Sequence, residues 1–316
     1  MKYTKDDLAF LISRKAVQKK SQKSMKGKLC VVSGGTSGVG LEAVKQLTKG
    51  GAFVVLVCRN SQKAEKVRTQ LPKDSQTRID VVVADFSRLD DVRSAAKTIC
   101  QRYERVDVLI NSAGLHSTRR KLTSDGNELV FQVNHIAPFL FTMLLLDLIK
   151  KSDQGRVIQV NSEGHRFGGL NLNDLDWKKR PYIGLRAYGA SKTAQIMAVM
   201  TLADKLKRTN VTINAMHPGG VKTNIGKNNG LLYRAWLRCV IWHFLKDPVI
   251  SGDAISYLAA APELDHTTGR YFFLTQDGKP MQHALDKEVR AAIWEKSLLL
   301  AGLSGERMPV ENGKPL

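Results

Sequence analysis

Cysteine is scarce in this chain of 316 residues: Cys30, Cys58, Cys100 and Cys239 lie far apart and form no C-x-x-C pair. That excludes a disulfide-stapled scaffold and a zinc ribbon, and predicts reduced, mostly buried thiols in a cytoplasmic protein. The seven histidines are scattered, without H-E-x-x-H or a related spacing, so no metal site is expected. No segment reads as transmembrane. L-A-F-L-I (8–12) falls far short of the ~20 residues of a spanning helix. L-L-Y-R-A-W-L-R-C-V-I-W-H-F-L (231–245) is interrupted by Arg234, Arg238 and His243 and reads as an amphipathic helix or lid.

Acidic residues are the other shortage. Lys and Arg number 49 against 29 Asp and Glu, a formal net charge of +20, and residues 1–28 alone hold nine basic residues against two Asp. A basic excess suits nucleic acid, an anionic membrane surface, a phosphorylated cofactor, or simply a solvated arm. No RNP-type motif, zinc-finger spacing or aromatic-interleaved basic stripe accompanies it, so nucleic acid is not an expected partner. Peripheral contact with a membrane, through the basic arm and the 231–245 segment, stays open.

What is present is a regular alternation. Apolar runs at 28–33, 52–58, 78–84, 106–111, 156–161, 211–216 and 270–275 read as strands, with helical spacing at 38–50, 61–70, 88–103 and 181–209. Continuous Val/Ile/Leu runs suit strands covered on both faces, and strand–helix alternation predicts an α/β doubly wound parallel sheet of about seven strands. Hydrophobic residues make up 43% of the chain, enough for one large core. No repeat or linker divides the pattern. The expected organisation is a mobile basic arm (1–26), one domain (27–303) and a short tail (304–316).

The first predicted strand runs into S-G-G-T-S-G-V-G (33–40) and then a helix. Glycines there permit a tight turn and let backbone N–H groups approach a pyrophosphate at the positive end of the helix. The spacing over Gly34, Gly38 and Gly40 is G-x-x-x-G-x-G, not the commoner G-x-G-x-x-G. The second strand ends in V-C-R-N, with Arg59 and no adjacent carboxylate. An acidic residue there would bond a ribose 2′-hydroxyl, whereas a guanidinium pairs with a 2′-phosphate, so NADP is expected over NAD.

R-A-Y-G-A-S-K-T-A-Q (186–195) sets Tyr188 four positions before Lys192, one helical turn apart on one face. A phenol with a pKa near ~10 is a poor base at neutral pH. A cationic neighbour favours the phenolate and lets it trade a proton near neutrality. Gly189, Ala190 and Ser191 between them are small enough to admit a ring and a substrate.

At these residues the chain resembles the short-chain dehydrogenase/reductase family, over roughly residues 27 to 302. The matching motifs are S-G-G-T-S-G-V-G (33–40), A-D-F-S (84–87), N-S-A-G (111–114), V-N-H (133–135), V-N-S (160–162), Y-G-A-S-K (188–192) and H-P-G-G-V-K-T (217–223). V-C-R-N, V-N-H-I-A-P-F-L and the ending D-K-E-V-R-A-A-I-W-E-K-S-L-L-L-A-G-L look like its retinol dehydrogenase branch, near the protochlorophyllide reductases. The resemblance implies a Rossmann domain and hydride transfer between NADP(H) and an alcohol or carbonyl. It implies that Gly34, Thr36, Ser37, Gly38, Val39 and Gly40 cradle the pyrophosphate, with Arg59, Asp85 and Phe86 at the adenosine end. Asn111, Ala113 and Gly114 would line the cofactor's floor, and Pro218, Gly219, Val221 and Thr223 would touch the nicotinamide. Tyr188 would be the general acid/base and Lys192 its activator and ribose ligand. Ser162 would hold the substrate oxygen, and Asn134 a proton-relay water. Ser33, Ser112 and Asn161 depart from the family's usual Thr, Asn and Ser. Asn161 leaves Ser162 as the serine candidate.

Residues 224–247 would cover the substrate, and their Leu231, Tyr233, Trp236, Trp242 and Phe244 imply a lipophilic one, such as a retinoid, isoprenoid, steroid or fatty aldehyde. The same side chains could equally pack on the core or at a homodimer contact. His135 and His165 could enter the pocket or be structural. A non-catalytic NADP-binding regulator and a membrane-peripheral scaffold are the alternatives, and the intact Asn134, Ser162, Tyr188 and Lys192 set argues against the former.

Overall fold

Strands form where apolar runs can be covered from both sides. In the computed structural model, which describes residues 16–221 and 245–304 and the backbone of 310–311 and 314–315, one eight-stranded sheet crosses the molecule. Its strands are β1 (Leu29–Ser33), β2 (Phe53–Cys58), β3 (Ile79–Val83), β4 (Val108–Asn111), β5 (Gly155–Val160), β6 (Val211–His217), β7 (Tyr271–Phe273) and β8 (Gln276–Gly278). They lie in the order β3-β2-β1-β4-β5-β6-β7-β8. β1 to β7 pair in parallel, and β8 pairs antiparallel with β7. The sequence predicts the first seven. The eighth escapes it because it is three polar residues folded back after Leu274, whose φ of 54° makes the sharp turn.

Successive side chains of a strand point to opposite faces, and here each face has its own core. Val31, Val55, Val57, Leu109 and Val157 pack with helices α3 (Leu89–Arg102), α4 (Leu129–Lys150), α5 (Gly184–Lys205) and α7 (Lys287–Leu300). Cys30, Val32, Val54, Leu56, Ile110 and Ile158 pack with α1 (Gly38–Lys49), α2 (Ser61–Gln70) and α6 (Val249–Ala260). α4 is long and apolar enough to cross a membrane, yet 89% of its apolar window is buried inside the fold. It is a core helix, covered in turn by α7, whose Trp294 meets Phe139 edge-on at 5.1 Å. One stretch of α4, Gln132–Ile136, is wound as a π-helix.

Residues 16–26 of the expected arm are held to the fold rather than free. Gln18 Oε1 accepts from the Thr275 backbone N–H and hydroxyl, at 3.1 and 2.9 Å. Gln276 Nε2 donates to the Val17 carbonyl, and Met25 is buried. Lys19, Lys20, Lys23 and Lys26 remain exposed along this stretch. Segment 231–244 and residues 1–15, which carry the rest of the membrane expectation, lie outside the described residues.

α1 and α6 touch backbone to backbone at Gly252, where an added Cβ would fall 2.7 Å from Glu42 backbone carbon. Gly252→Val therefore should destabilise the protein by about 1–3 kcal/mol through overpacking, read as a lower urea midpoint. An unaltered midpoint would show that the two helices can move apart freely.

Candidate active site

The strand order reverses between β1 and β4, and in open α/β sheets ligands bind outside the strand ends at such a point. The loops leaving these two strands meet there. Gly34 has φ +72°, and a Cβ on it would lie 2.7 Å from Ala113 N and Cα. A Cβ on Gly40 would lie 2.6 Å from the Gly34 carbonyl oxygen, so α1 begins hard against the turn. Gly38 has φ +55°. Ser33 Oγ accepts from the Ser112 and Ala113 amides at 3.2 and 3.3 Å and locks the second loop to the first. Serine keeps the hydroxyl that the family's usual Thr would supply here.

The N-cap of α1 is Ser37, exposed, and its side chain makes no capping bond. The first-turn amides are therefore left to an external anion, the arrangement a helix start offers to phosphate. Thr36 is half-buried beside it, and Val39 is buried under the turn. At the end of β2, Arg59 holds a guanidinium that is 63% exposed, 4.0 Å from the Asp85 carboxylate. Asp85 Oδ1 is bound by the Ser87 N–H and hydroxyl at 2.9 and 2.8 Å. The Phe86 ring is buried edge-on against Phe141 and belongs to the core. Gly114 is exposed, and Asn111 Nδ2 donates to Thr142 Oγ1 at 2.8 Å deep in the core. These residues fit a dinucleotide: Gly34 lets the turn close on the Ala113 backbone with no Cβ between, and the helix start beside it carries no side-chain cap.

The second half of the site stands at the ends of β5 and β6. Ser162 caps a short 3₁₀ turn, its Oγ accepting from Gly164 N–H at 3.0 Å, and its hydroxyl and the Tyr188 ring flank Gly164 together. Burial pushes that phenol up to about 12. Gly164 must lack a Cβ, which would sit 2.5 Å from the Tyr188 ring. Lys192 Nζ lies 5.7 Å from the Tyr188 ring centroid, and burial brings its ammonium down to about 7. A phenol, a hydroxyl and an ammonium thus share one small volume and can exchange a proton with a bound oxygen.

Asn134 sits in the π-wound stretch with its side chain fully engaged. Oδ1 accepts from Leu115 N–H at 2.8 Å, and Nδ2 donates to the Leu115 carbonyl and to Ser191 Oγ, both at 3.0 Å. It ties α4, α5 and the loop after β4 together. His135 and His165 do not enter the site. His135 bonds Ser297 Oγ at 2.7 Å in the core, and His165 Nδ1 lies 2.9 Å from the Ser162 carbonyl behind the turn. Pro218 and Gly219 leave β6, the Pro218 carbonyl accepting from Ser251 Oγ at 2.6 Å, and Val221 is buried. Thr223 and most of the 224–247 cover lie outside the described residues.

The motifs fall in order along one doubly wound sheet, and the model of the short chain dehydrogenase family matches residues 28–231. The chain belongs to that family. It falls in the retinol dehydrogenase-like branch. Retinol dehydrogenase 14 of Homo sapiens is 34% identical over 295 residues, covering 88% of this chain and 88% of its own. Retinol dehydrogenase 13 of Mus musculus is 32% identical over 289 residues, covering 90% and 86%. An uncharacterised protein from Mycobacterium paratuberculosis superposes with a TM-score of 0.74 at 25% identity, over 93% of this chain and 100% of that one. A short chain dehydrogenase from Shigella flexneri, crystallised with NADP, shares the fold at a TM-score of 0.64 and 24% identity, over 80% and 99%. As a short-chain dehydrogenase the protein is an oxidoreductase that uses a nicotinamide cofactor on an alcohol or carbonyl.

Two residues of the site escape the motifs. His116 stands edge-on to the Tyr188 ring, centroids 5.9 Å apart; its place two residues beyond N-S-A-G is the only sequence signal. Gln195 bonds Lys192 Nζ at 3.0 Å, and its signal is the spacing 188, 192, 195 on one helical face. Asn134→Ala should lower stability by about 1–3 kcal/mol, because the Leu115 N–H and carbonyl lose their partner. Chemical denaturation checks it, and an unchanged midpoint would mean that other contacts hold the 115 loop.

Proposed function

We propose that this short-chain dehydrogenase is NADP(H)-dependent, that it interconverts an alcohol and a carbonyl on a lipophilic substrate, and that Tyr188 moves the proton. The observation that carries the reading is the Ser162–Tyr188–Lys192 row, set beside the glycine cradle at the switch point of the sheet. Gly34 to Gly40, Asn111, Ala113, Gly114 and Pro218 to Thr223 would hold the cofactor, which when bound supplies or accepts the hydride. In reduction Tyr188 gives its phenolic proton to the substrate oxygen, and in oxidation it takes that proton back. Lys192 favours the phenolate by its charge, offsetting the burial that holds the phenol near 12. The Ser162 hydroxyl, on the turn beside the phenol, orients the substrate oxygen and stabilises the charge that develops on it.

Arg59 supports NADP(H) over NAD(H). Its guanidinium is exposed at the end of β2, and its one ion-pair partner among the described residues, Asp85, stands 4.0 Å away, which leaves its planar fork open to a 2′-phosphate. The substrate class rests on two supports. The relatives are named retinol dehydrogenases, and the head of α5 and the 3₁₀ turn beside it carry exposed apolar side chains. Phe167, Ile183 and Leu185 are 52%, 47% and 49% exposed; Leu185 is one turn before Tyr188, and Phe167 lies beside Gly189. Residues 224–247 follow directly on the Pro218–Val221 turn, which supports their reading as the substrate cover.

Tyr188→Phe removes the exchangeable proton and nothing else. It should cut kcat by about 10²–10⁴-fold while NADPH binding, followed by nicotinamide fluorescence, stays nearly intact. Turnover that survives the change would remove Tyr188 from the proton step. Arg59→Asp should invert the ratio of NADPH to NADH affinity, by loss of a phosphate partner and gain of a repulsive charge. A ratio that stays put would show Arg59 to be a bystander.

A further inference from the structure

Lys192 is 3% exposed, and among the described residues its ammonium has two acceptors, the Val160 carbonyl and Gln195 Oε1, each at 3.0 Å. Gln195 is itself 2% exposed. Its Oε1 also accepts from Asn161 Nδ2 at 2.9 Å, and its Nε2 donates to the Asn134 carbonyl in the π-wound stretch of α4. One carboxamide thus spans from the ammonium to the position where the family resemblance puts a relay water. On its far side it borders a cavity of about 20 Å³ lined by His135, Thr142 and Gln159.

We propose that Gln195 is a positioning residue for the Tyr188–Lys192 pair: its oxygen fixes the ammonium beneath the tyrosine, and its NH₂ group occupies the Asn134 carbonyl. The proposal rests on the reading of Tyr188 and Lys192 given above. A carboxamide donates and accepts hydrogen bonds but takes up no proton near neutral pH. The inward path from Lys192 therefore ends at Gln195, and Tyr188 exchanges its proton on the open side, past Ser162.

The groups facing the ammonium leave this task to Gln195. On α5 its neighbour is Tyr188; His135 on α4 and His217 on β6 lie within range of its charge, and His217 Nδ1 accepts from the Glu163 N–H on the turn after β5. Burial holds His135 at about 3 and His217 at about 4, so both are neutral. Burial is what brings Lys192 down, and no ion pair involves it among the described residues. Its charged form thus depends on acceptors, of which Gln195 is the one on a side chain. An activity that needs the ammonium is present below the lysine pKa and lost as pH rises through it.

The test titrates Lys192 in the cofactor-free protein by NMR with labelled lysine, its signal identified by loss in Lys192→Met. Gln195→Met, similar in length but without either polar group, should lower the midpoint by about one pH unit. Gln195→Glu keeps the acceptor and adds a negative charge, and should raise it. With NADPH and a substrate that the parent turns over, the alkaline limb of kcat should move in the same two directions, with little change in substrate KM. A side chain that only filled space would reduce stability in Gln195→Met and leave its midpoint and the limb in place, and that result overturns the proposal. If Gln195→Met does not fold, Gln195→Leu, which also lacks both polar groups, decides by the same shift. The titration needs no turnover, so an unmoved midpoint counts against Gln195 alone. A parent that turns over no alcohol or carbonyl counts against the functional reading instead.

Discussion

A lysine ammonium buried between a strand end and a helix is the constraint on which the rest of the site depends. Removing such a charge from water is expensive unless hydrogen bonds replace the lost solvent. β5 stops at Val160 with its carbonyl turned toward Lys192. The next residue, Asn161, turns its amide back onto α5: Nδ2 donates to the Lys192 carbonyl and to Gln195, while Oδ1 accepts from Ser162 N–H at 2.8 Å. The group that steadies the lysine helix therefore also sets the backbone of the serine that faces the tyrosine. Gly164 and Gly189 complete the fit by their missing Cβ atoms, since a side chain at either would strike the Tyr188 ring or the 3₁₀ turn.

The cofactor half of the site obeys a different rule, close approach of backbone to backbone. Gly34 and Gly40 bring the turn, the start of α1 and the loop after β4 into one cluster, and the uncapped helix start then faces outward. The halves are joined through the core. Asn111, at the end of β4, bonds Thr142 on α4, and Asn134 on the same helix bonds Leu115 and Ser191. α4 thus connects the cofactor loop to the helix that carries the tyrosine. This explains why a helix buried on nearly every side nevertheless carries the amide of Asn134, whereas that of Gln132 holds Thr123, Asp125 and Asn127 in the loop before the helix.

Much of this was legible in the sequence because the fold repeats one simple unit. Both-face burial writes each parallel strand as a continuous Val/Ile/Leu run, and β1 to β7 are found within a residue or two of where those runs fall. The placement of the glycine turn, Arg59 and the Tyr188–Lys192 pair was legible for the same reason: it depends on local spacing. β8 was not, because a three-residue polar return has no periodicity to detect. The docking of residues 16–26 was not, since it rests on single side-chain bonds to Thr275 and Gln276 over 250 positions away in the chain. Gln195 is hidden by its helix. α5 is buried through most of its length, from Ala187 to Ala203, so a polar residue on it carries no sign of which way it faces.

The departures of this chain from its family's pattern are of two kinds. Ser33 keeps the hydroxyl function of the residue it replaces, and its two accepted amides show that the missing methyl is not needed there. Asn161 is different in kind. Where the family usually has a hydroxyl, this chain has an amide long enough to reach Gln195, and the two carboxamides bond each other next to Lys192. An amide pair in a dry interior is stable only while every donor finds an acceptor. Here each NH₂ group does, Asn161 on Lys192 and Gln195, and Gln195 on the Asn134 carbonyl. Replacing Asn161 alone by serine would strip Gln195 of one donor, and replacing Gln195 alone would leave an Asn161 N–H and the ammonium short of an acceptor. The two positions are therefore constrained as one unit.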